Sequence, residues 1–449
     1  MISAMKPIAP LPRLSAANAA RRDRLSDWYL PGRFGLFYHY GLFTGGGNAT
    51  SRWKPEPLAF PTPEAFDAAT PDPQTVARNL AAAAKDAGAR YATLTVCHTC
   101  GGQVVLYPTE RPEFLHRTRK DYVGAFLEAC RAAEVMPMLY LPCDCNNWDN
   151  PQTGPNVPPE VAADPARYGE ALLGLVDEIR ARYGDLPAGF WLDGGLPAGC
   201  LAVPGRIRAH WPRAVVVANN GDTLACDDVD AGTTECIDES VVPDPPYDRT
   251  DGYRKINAWG CTLPRTDFNE DIPTPNGWWF HGEDEPLQPG YGDDRFFLLR
   301  QMVCSLGRRG RWNFHPGIGP RLDGTVPPRI RPMLGAVRDF LAWAGEAVHG
   351  TRGPAGTFVR SGWTNANGSL SFHAVTNRLD APSVFYAIFT EAPSNGLALL
   401  DTMGREPRRA TDLRTGRELP FRMWSGPVFE DGPWGDVAAF GAAVVKLEF

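Results

Sequence analysis

Short apolar runs alternate with amphipathic segments along the first three quarters of the chain. Apolar runs bounded by polar or turn residues predict strands at Arg33–His39, Tyr91–Val96, Met136–Leu141, Gly189–Leu192, Ala214–Ala218 and Arg311–His315. Apolar residues recurring every three or four positions predict helices at Val76–Ala87, Tyr122–Ala133, Pro165–Tyr183, Arg295–Leu306 and Ile330–Ala344. Repeated strand–helix units predict an α/β fold, and their number favours a (β/α)8-like, TIM-type barrel over a doubly wound open sheet.

The pattern changes after Gly350. Helical periodicity disappears, and short alternating runs follow, separated by Gly, Pro and Asn turns: Leu370–Ala374, Ser383–Phe389 and Val444–Phe449. Such runs are typical of a small β-sandwich. We therefore expect a barrel domain over residues 1–349 and a C-terminal β-sandwich domain over residues 350–449.

Composition narrows the class of protein. The 449 residues carry a net charge of −7, with 43% apolar and 22% charged residues, as in an ordinary globular protein. The negative charge and the absence of a basic cluster argue against a nucleic-acid partner. The longest apolar runs, such as Val437–Val445, are too short to span a membrane.

The cellular compartment is inferred from the cysteines and the first residues. No secretory signal is recognised in Met1–Asp27, and ten cysteines without one suggest free thiols in a reducing compartment. We therefore expect a cytoplasmic protein, with a processed secreted or periplasmic form as the alternative.

The most informative segment for function is the apolar strand that runs into Asp193 and is followed directly by glycines. In a (β/α) barrel this arrangement presents a carboxylate at the C-terminal mouth of the sheet. Other strands end in polar groups suited to a sugar site, His39, His98 and Asn219-Asn220. An Asp that merely ends a strand is the alternative interpretation.

Retaining hydrolysis of a glycosidic bond requires two carboxylates about 5 Å apart. Asp193 suits the nucleophile, because it ends a dry strand beside glycine. Glu235, after Ala231–Thr234, suits the general acid/base, and Glu270 is its competitor. For either glutamate, a solvated loop charge is the alternative.

Histidines, tryptophans and one asparagine complete the candidate site. A neutral imidazole at His39 or His98 can hydrogen-bond a sugar hydroxyl, although a lone buried histidine is more often structural. Tryptophans can support the apolar face of a sugar, and the candidates are Trp53, Trp148 and Trp279. Asn220 either positions a hydroxyl or caps the next turn.

Two cysteine clusters suggest a competing chemistry. Cys97 and Cys100 follow one strand, and Cys143 and Cys145 follow the next. Together they could close a tetrahedral zinc site in a zinc-dependent hydrolase. Thiols that simply fill small spaces are the alternative, and the favoured interpretation needs neither metal nor cofactor.

Several segments, in the same order, resemble motifs of glycoside hydrolase family 29, the α-L-fucosidases. They lie at Arg33–Phe43, Ala84–His98, Phe190–Gly194, Ile318–Pro328 and Gly345–Arg352. The resemblance implies two-step retaining hydrolysis of terminal α-L-fucosides, so the expected partner is a fucosylated or related oligosaccharide. It implies Asp193 as nucleophile, and sugar hydroxyls held by His39 and His98.

The resemblance leaves the acid/base open. Thr233-Thr234-Glu235 resembles one branch of the family, whereas Gly277–His281 resembles another that keeps its acid/base just upstream, which would favour Glu270. Trp279 and His281, within the second motif, are expected to line the sugar site.

Some pocket positions depart from the family pattern. Tyr40 replaces a tryptophan, Thr99 replaces the second of two histidines, and Trp53 is the only counterpart of a Glu-Trp-Tyr motif. At the position of a Tyr-Tyr-Ser motif of the family, this chain has Tyr140-Leu141-Pro142. The resemblance therefore allows a related sugar, such as an α-L-galactoside or an α-L-arabinopyranoside. A carbohydrate-binding barrel without catalysis is the alternative function.

Overall fold

The computed structural model describes the greater part of both predicted domains. The described residues are 20–21, 23–45, 59–98, 104–143, 156–194, 196–219, 228–234, 268–271, 279–280, 282, 294–307, 311–354, 357–366 and 369–449. All structural statements below concern these residues.

The first domain is a closed barrel of parallel strands. The strands are β1 Gly35–Tyr38, β2 Tyr91–Thr95, β3 Met136–Pro142, β4 Gly189–Asp193, β5 Val215–Ala218, β6 Ala231–Thr234, β7 Phe268–Asp271, β8 Arg311–Phe314 and β9 Gly317–Ile318. Each strand from β1 to β8 pairs in parallel with the next. β9 pairs in parallel with β1, and a bridge joins Phe34 to Phe314, so the sheet closes on itself. The predicted TIM-type barrel is confirmed.

Nine α-helices accompany the strands in the described part of this domain, and five of them lie where the periodicity predicts them, those that begin at Pro73, Tyr122, Pro165, Phe297 and Arg331. The nine helices are α1 Leu30–Gly32, α2 Pro63–Ala69, α3 Pro73–Ala87, α4 Tyr122–Ala132, α5 Pro159–Ala162, α6 Pro165–Tyr183, α7 Ala202–His210, α8 Phe297–Leu306 and α9 Arg331–Ala344. Aspartate side chains cap three of them, since Asp72, Asp121 and Asp164 accept bonds from backbone N–H groups of the first turns. No helix in the described part of the chain has the length and apolarity needed to cross a bilayer.

Both faces of the barrel sheet are buried, which explains why its strands read as continuous apolar runs. Alternate residues, such as Phe190 and Leu192, join the cluster under the surrounding helices. The intervening positions fill the interior, and they include Phe37, Tyr91, Met138, Tyr140, Trp191, Val215, Val217 and Ala231.

The segment before β1 closes the floor of the barrel. Leu25, Tyr29 and Leu30 belong to the interior cluster, and the Tyr29 ring lies 5.2 Å from that of Tyr91 at the start of β2. Apolar side chains thus seal the end of the barrel opposite the strand ends that carry polar residues.

A buried carboxylate ties this floor segment to the wall. Asp230, whose side chain is fully buried, accepts bonds from Arg24 at 2.7 Å and from Arg208 at 2.8 Å. It also accepts a bond from the backbone N–H of Val216 at 2.9 Å. The negative charge of this one carboxylate therefore balances the positive charges of two guanidinium groups that are largely buried.

The second domain is a two-layer β-sandwich, as predicted. Its elements are β10 Thr351–Arg352, β11 Gly362–Ala366, β12 Ser369–Arg378, β13 Val384–Phe389, β14 Ala398–Leu399, β15 Arg409–Asp412, β16 Arg422–Met423, β17 Pro427–Phe429, α10 Gly435–Phe440 and β18 Ala443–Glu448. One sheet has the order β10-β12-β13-β18-β15 with β11 on β12, and the other is β14-β17-β16. Residues of both sheets, such as Phe385 and Phe429, share one apolar cluster.

The sandwich packs directly on the barrel. Ala374 and Val444 of the sandwich belong to the same apolar cluster as the barrel helices. The Ser361 hydroxyl donates to the carbonyl of Gly307 at 2.6 Å, and the Thr376 hydroxyl donates to that of Ala347 at 2.6 Å. The two domains therefore form one continuous packed body.

We expect Asp230→Ala to lower the free energy of unfolding by about 3–5 kcal/mol, because it leaves two buried guanidinium groups uncompensated. Urea denaturation measures this loss. The control is Glu430→Ala, which breaks an ion pair with Arg422 whose side chains are 57% and 64% exposed, and it should cost less than about 1 kcal/mol. Equal, small losses in both variants would contradict the role of Asp230.

We expect stability to fall as the pH drops below about 6.5. Burial, followed for His349 by the charge of Arg90, lowers the pKa of both His349 and His373 to about 4. The fold keeps these rings neutral where the unfolded chain binds protons, so stability is lost towards acid pH between 6.5 and 4. Each histidine contributes about 1.4 kcal/mol per pH unit within this window.

His373→Gln tests this expectation, because the amide can still donate to the carbonyl of Arg360, which lies 2.9 Å from the histidine Nε2. Urea unfolding at pH 7, 6 and 5 should show a slope smaller by about one proton than that of the wild type. His116→Gln serves as the control. An unchanged slope in His373→Gln would contradict the assignment.

Candidate active site

A carboxylate stands at the mouth of the barrel because of the alternation within β4. Trp191 belongs to the interior cluster and Leu192 to the outer one, so Asp193, two residues after Trp191, returns to the inner face. Gly194 follows with a φ of +90°, a conformation that suits glycine and turns the chain away. The carboxylate thus lies at the C-terminal end of the sheet, only partly buried.

Three donors from neighbouring strand ends hold this carboxylate. The Tyr140 hydroxyl donates to Oδ2 of Asp193 at 2.7 Å. Oδ1 accepts bonds from the Asn219 amide and from the Gly194 backbone N–H, both at 2.8 Å. Because all three donate to the carboxylate oxygens, they favour its ionised form and fix its orientation.

An aromatic layer extends from the carboxylate around the mouth. The His98 ring stacks on Tyr140 with centroids 5.0 Å apart, and Tyr140 stacks on Trp191 at 5.3 Å. The His39 ring lies 5.0 Å from His98, edge to face. Trp279 lies 5.3 Å from His98 and 5.8 Å from His39. Ends of β1, β2, β3 and β4 therefore meet in one continuous wall.

The His39 imidazole is neutral at physiological pH. Burial lowers its pKa well below the usual value, and the neighbouring His98 and His315 lower it further. A neutral ring keeps one donor and one acceptor nitrogen. Such a group can bind a hydroxyl without repelling a cation-like sugar in the transition state.

The structure brings four of the sequence-predicted residues together: Asp193, His39, His98 and Trp279. Glu270 lies in β7, aligned with Thr233 of β6 and Asn313 of β8. Six predicted site residues lie outside the described part of the chain: Trp53, Thr99, Trp148, Asn220, Glu235 and His281. The strand before Glu235, β6, ends at Thr234.

Tyr40 is placed differently from the expectation. Its hydroxyl donates to the carbonyl of Leu322 at 2.6 Å, and its ring packs against Phe66 and Tyr122. These neighbours belong to the outer apolar cluster. The chain has already left β1 at this residue, and it turns the Tyr40 ring away from the mouth.

Two residues that contact or support Asp193 were not chosen from the sequence. In the sequence Tyr140 belongs only to a segment that departs from a family motif, whereas the structure places it on the inner face of β3 near the strand end. Trp191 was treated as part of a strand, yet it supports the Tyr140 ring. The period of two, read back from Asp193, assigns Trp191 to the interior, whereas Tyr140 is placed there by its pairing with Trp191 across β3 and β4.

The cysteines offer little support for a metal site. Cys97 and Cys143 are buried thiols, and burial raises the pKa of Cys97 to about 12. Within the residues that the structure describes, no group of three or more His, Cys, Asp or Glu side chains could hold a metal ion. Cys100 and Cys145 lie outside those residues.

A closed parallel barrel with a held carboxylate and an imidazole–indole wall at its mouth is an arrangement that a carbohydrate-active hydrolase can use. The family model described as Alpha-L-fucosidase matches residues 13–346. The chain therefore belongs to the α-L-fucosidase family, glycoside hydrolase family 29, and is a glycoside hydrolase. Among curated protein sequences none matches this chain.

Solved α-L-fucosidases share the complete architecture. The enzyme of Thermotoga maritima superposes with a TM-score of 0.68 at 18% identity, covering 96% of this chain and 99% of its own. Isoenzyme 1 of Paenibacillus thiaminolyticus gives 0.67 at 18%, with the same coverage. A family 29 enzyme of Bacteroides thetaiotaomicron gives 0.66 at 16%, covering 98% and 96%. At these identities the likeness establishes the fold.

We expect Tyr140→Phe to lower kcat by about 10- to 100-fold, because a hydrogen bond to a charged group contributes about 1.5–3 kcal/mol. The ring stack with His98 is retained, so KM should change less. Hydrolysis of an aryl α-L-fucoside provides the measurement. Tyr38→Phe is the matched control, since that hydroxyl donates to the carbonyl of Leu80 on the outer face. Equal activities of the two variants would contradict the role of Tyr140.

Proposed function

We propose that this protein is a retaining exo-glycosidase that removes terminal α-L-fucose, or a closely related α-L-sugar, from oligosaccharides. The observation that carries the proposal is the carboxylate of Asp193, bonded on both oxygens by Tyr140, Asn219 and Gly194 at the mouth of the barrel. A nucleophile must be ionised and aimed, and this arrangement favours both.

In the first step an Asp193 oxygen attacks the anomeric carbon. A bond forms between that oxygen and C1, while the bond from C1 to the glycosidic oxygen breaks. Glu235 donates its proton to the leaving oxygen. In the second step Glu235, now a carboxylate, removes a proton from water, which attacks C1 and releases Asp193. Two inversions at C1 give overall retention.

The choice between Glu235 and Glu270 rests on topology. β6 and β7 are adjacent parallel strands, so both bring their carboxyl ends to the mouth that holds Asp193. Glu235 directly follows the end of β6, whereas Glu270 lies one residue before the end of β7. Catalytic groups of such barrels come from the ends of the strands and the loops that follow them, so we favour Glu235 as acid/base and keep Glu270 as the alternative.

The wall of the mouth suits a sugar ring. Neutral His39 can accept or donate a hydrogen bond, and His98 and Trp279 present ring faces and edges beside it. The substrate class follows from the family, and the solved enzymes that share this architecture are α-L-fucosidases. The altered position Thr99 keeps an α-L-galactoside or α-L-arabinopyranoside open as the substrate. The cytoplasmic location stays a prediction.

We expect Asp193→Gly to reduce hydrolysis of an aryl α-L-fucoside by more than about 10³-fold without unfolding the protein, because the covalent step is removed. Adding azide to this variant should restore turnover and give the β-configured glycosyl azide. Asp185→Ala, an exposed loop substitution, serves as the control and should keep full activity. Normal turnover by Asp193→Gly would disprove the assignment.

The same reaction identifies the acid/base. We expect Glu235→Ala to lose about 10²–10⁴-fold in activity, and azide should rescue it with formation of the α-configured azide. Glu270→Ala is the matched comparison, and rescue of that variant alone would transfer the role to Glu270.

Turnover only of another α-L-glycoside would retain the mechanism and change the sugar. Saturable binding of every sugar without product would instead indicate a non-catalytic barrel.

A further inference from the structure

Two large apolar side chains stand exposed on the β-sandwich. Trp424 is 65% exposed and Met403 is 57% exposed, the two highest values among large hydrophobic residues in the described part of the chain. They lie on adjoining turns, since the backbone N–H of Gly404 donates to the carbonyl of Ser425 at 3.1 Å. Each exposed side chain leaves apolar area in water that burial would remove, so a ligand that covers the pair gains free energy.

The turns that carry these side chains are held rigidly. In the β16–β17 hairpin the N–H of Trp424 donates to the carbonyl of Gly426 at 2.9 Å. Gly426 packs so closely that a Cβ would lie 2.0 Å from the carbonyl oxygen of Leu400. Met403 itself has a φ of +51°, a conformation that costs free energy in a residue with a side chain. The fold thus maintains the exposed side chains at a cost.

Ion pairs frame the exposed pair without giving it a net charge. Arg422, two residues before Trp424, pairs with Glu430 at 3.0 Å. Arg360, beside Met403, pairs with Asp401 at 3.9 Å. Each pair has one cation and one anion, and their side chains are 41–64% exposed. These two pairs add no net charge beside Trp424 and Met403, and they offer hydrogen-bond donors and acceptors.

The size of this surface favours one kind of occupant. Two side chains present at most roughly 300 Å² of apolar area, whereas a stable protein interface needs about 800 Å² on each partner. A pyranose ring matches an indole in size, and its C–H face packs on the ring while its hydroxyls reach the polar frame. A neutral carbohydrate therefore fits better than a second protein.

We propose that Trp424, Met403 and the framing pairs Arg422–Glu430 and Arg360–Asp401 form a glycan-docking surface on the sandwich, separate from the barrel mouth. Its ligand is a neutral oligosaccharide or polysaccharide, with one sugar stacked on the Trp424 indole. This surface lies beyond the residues that the family model covers. It holds a glycan chain close to the enzyme and raises the local concentration of chain ends.

Electrophoresis of the full-length protein through native gels containing fucosylated xyloglucan, a neutral polysaccharide, tests the proposal. The wild type should be retarded, with at least about tenfold weaker binding in Trp424→Ala. Asp193→Ala should be retarded like the wild type, and saturating free L-fucose should not release it. Leu115→Ala removes another exposed apolar side chain, 49% exposed, and serves as the control.

The kinetic counterpart separates docking from catalysis. Trp424→Ala should leave kcat/KM for a small aryl glycoside within twofold of the wild type and raise KM only for the polysaccharide. Equal retardation of wild type and Trp424→Ala, or no retardation of either, would overturn the proposal. A Trp424-dependent dimer with no effect of the polysaccharide would also overturn it. Retardation in the gel does not require hydrolysis. The docking surface can therefore be tested even if the proposed glycosidase activity is not found.

Discussion

The whole molecule depends on the closure of one parallel sheet between its last and first strands. β9 continues the path of β8 and pairs with β1, and this pairing turns a row of strands into a barrel. Closure fixes which alternate residues face inward on every strand. Since the strands are parallel, all of their carboxyl ends meet at one mouth. Residues that are more than a hundred positions apart in the sequence, such as His39 and Asp193, therefore lie together at the mouth of the barrel.

The mouth stabilises a negative charge with dipoles. The described contacts of the Asp193 side chain are with a hydroxyl, an amide and a backbone N–H. Each of these three donors stabilises the ionised form of the carboxylate. The stacked rings beneath it exclude water from one side. At the opposite end, Asp230 and the residues around Tyr29 seal the floor and support the same barrel.

Strand and helix positions could be predicted closely, because both faces of the barrel sheet are buried and aspartates mark the helix starts. The helix expected at Val76–Ala87 extends from Pro73 to Ala87, and the strand expected at Gly189–Leu192 ends at Asp193 itself. Side-chain direction was harder to predict just beyond a strand end. Tyr40 follows β1 closely, yet the turn of the chain aims its ring at the outer layer. Tyr140, still within β3, retains the inward direction and bonds Asp193.

The sequence by itself determined six of the barrel strands, the helices α3, α4, α6, α8 and α9, the change of pattern after Gly350 and the aspartate at a strand end. Each of these depends on local periodicity or on adjacent residues. It also carried enough family motifs to suggest the class of enzyme. Only the tertiary structure decided which side chains contact that aspartate and which histidine is neutral. Those properties depend on burial and on neighbours from other strands, and the chain acquires both only when the barrel closes.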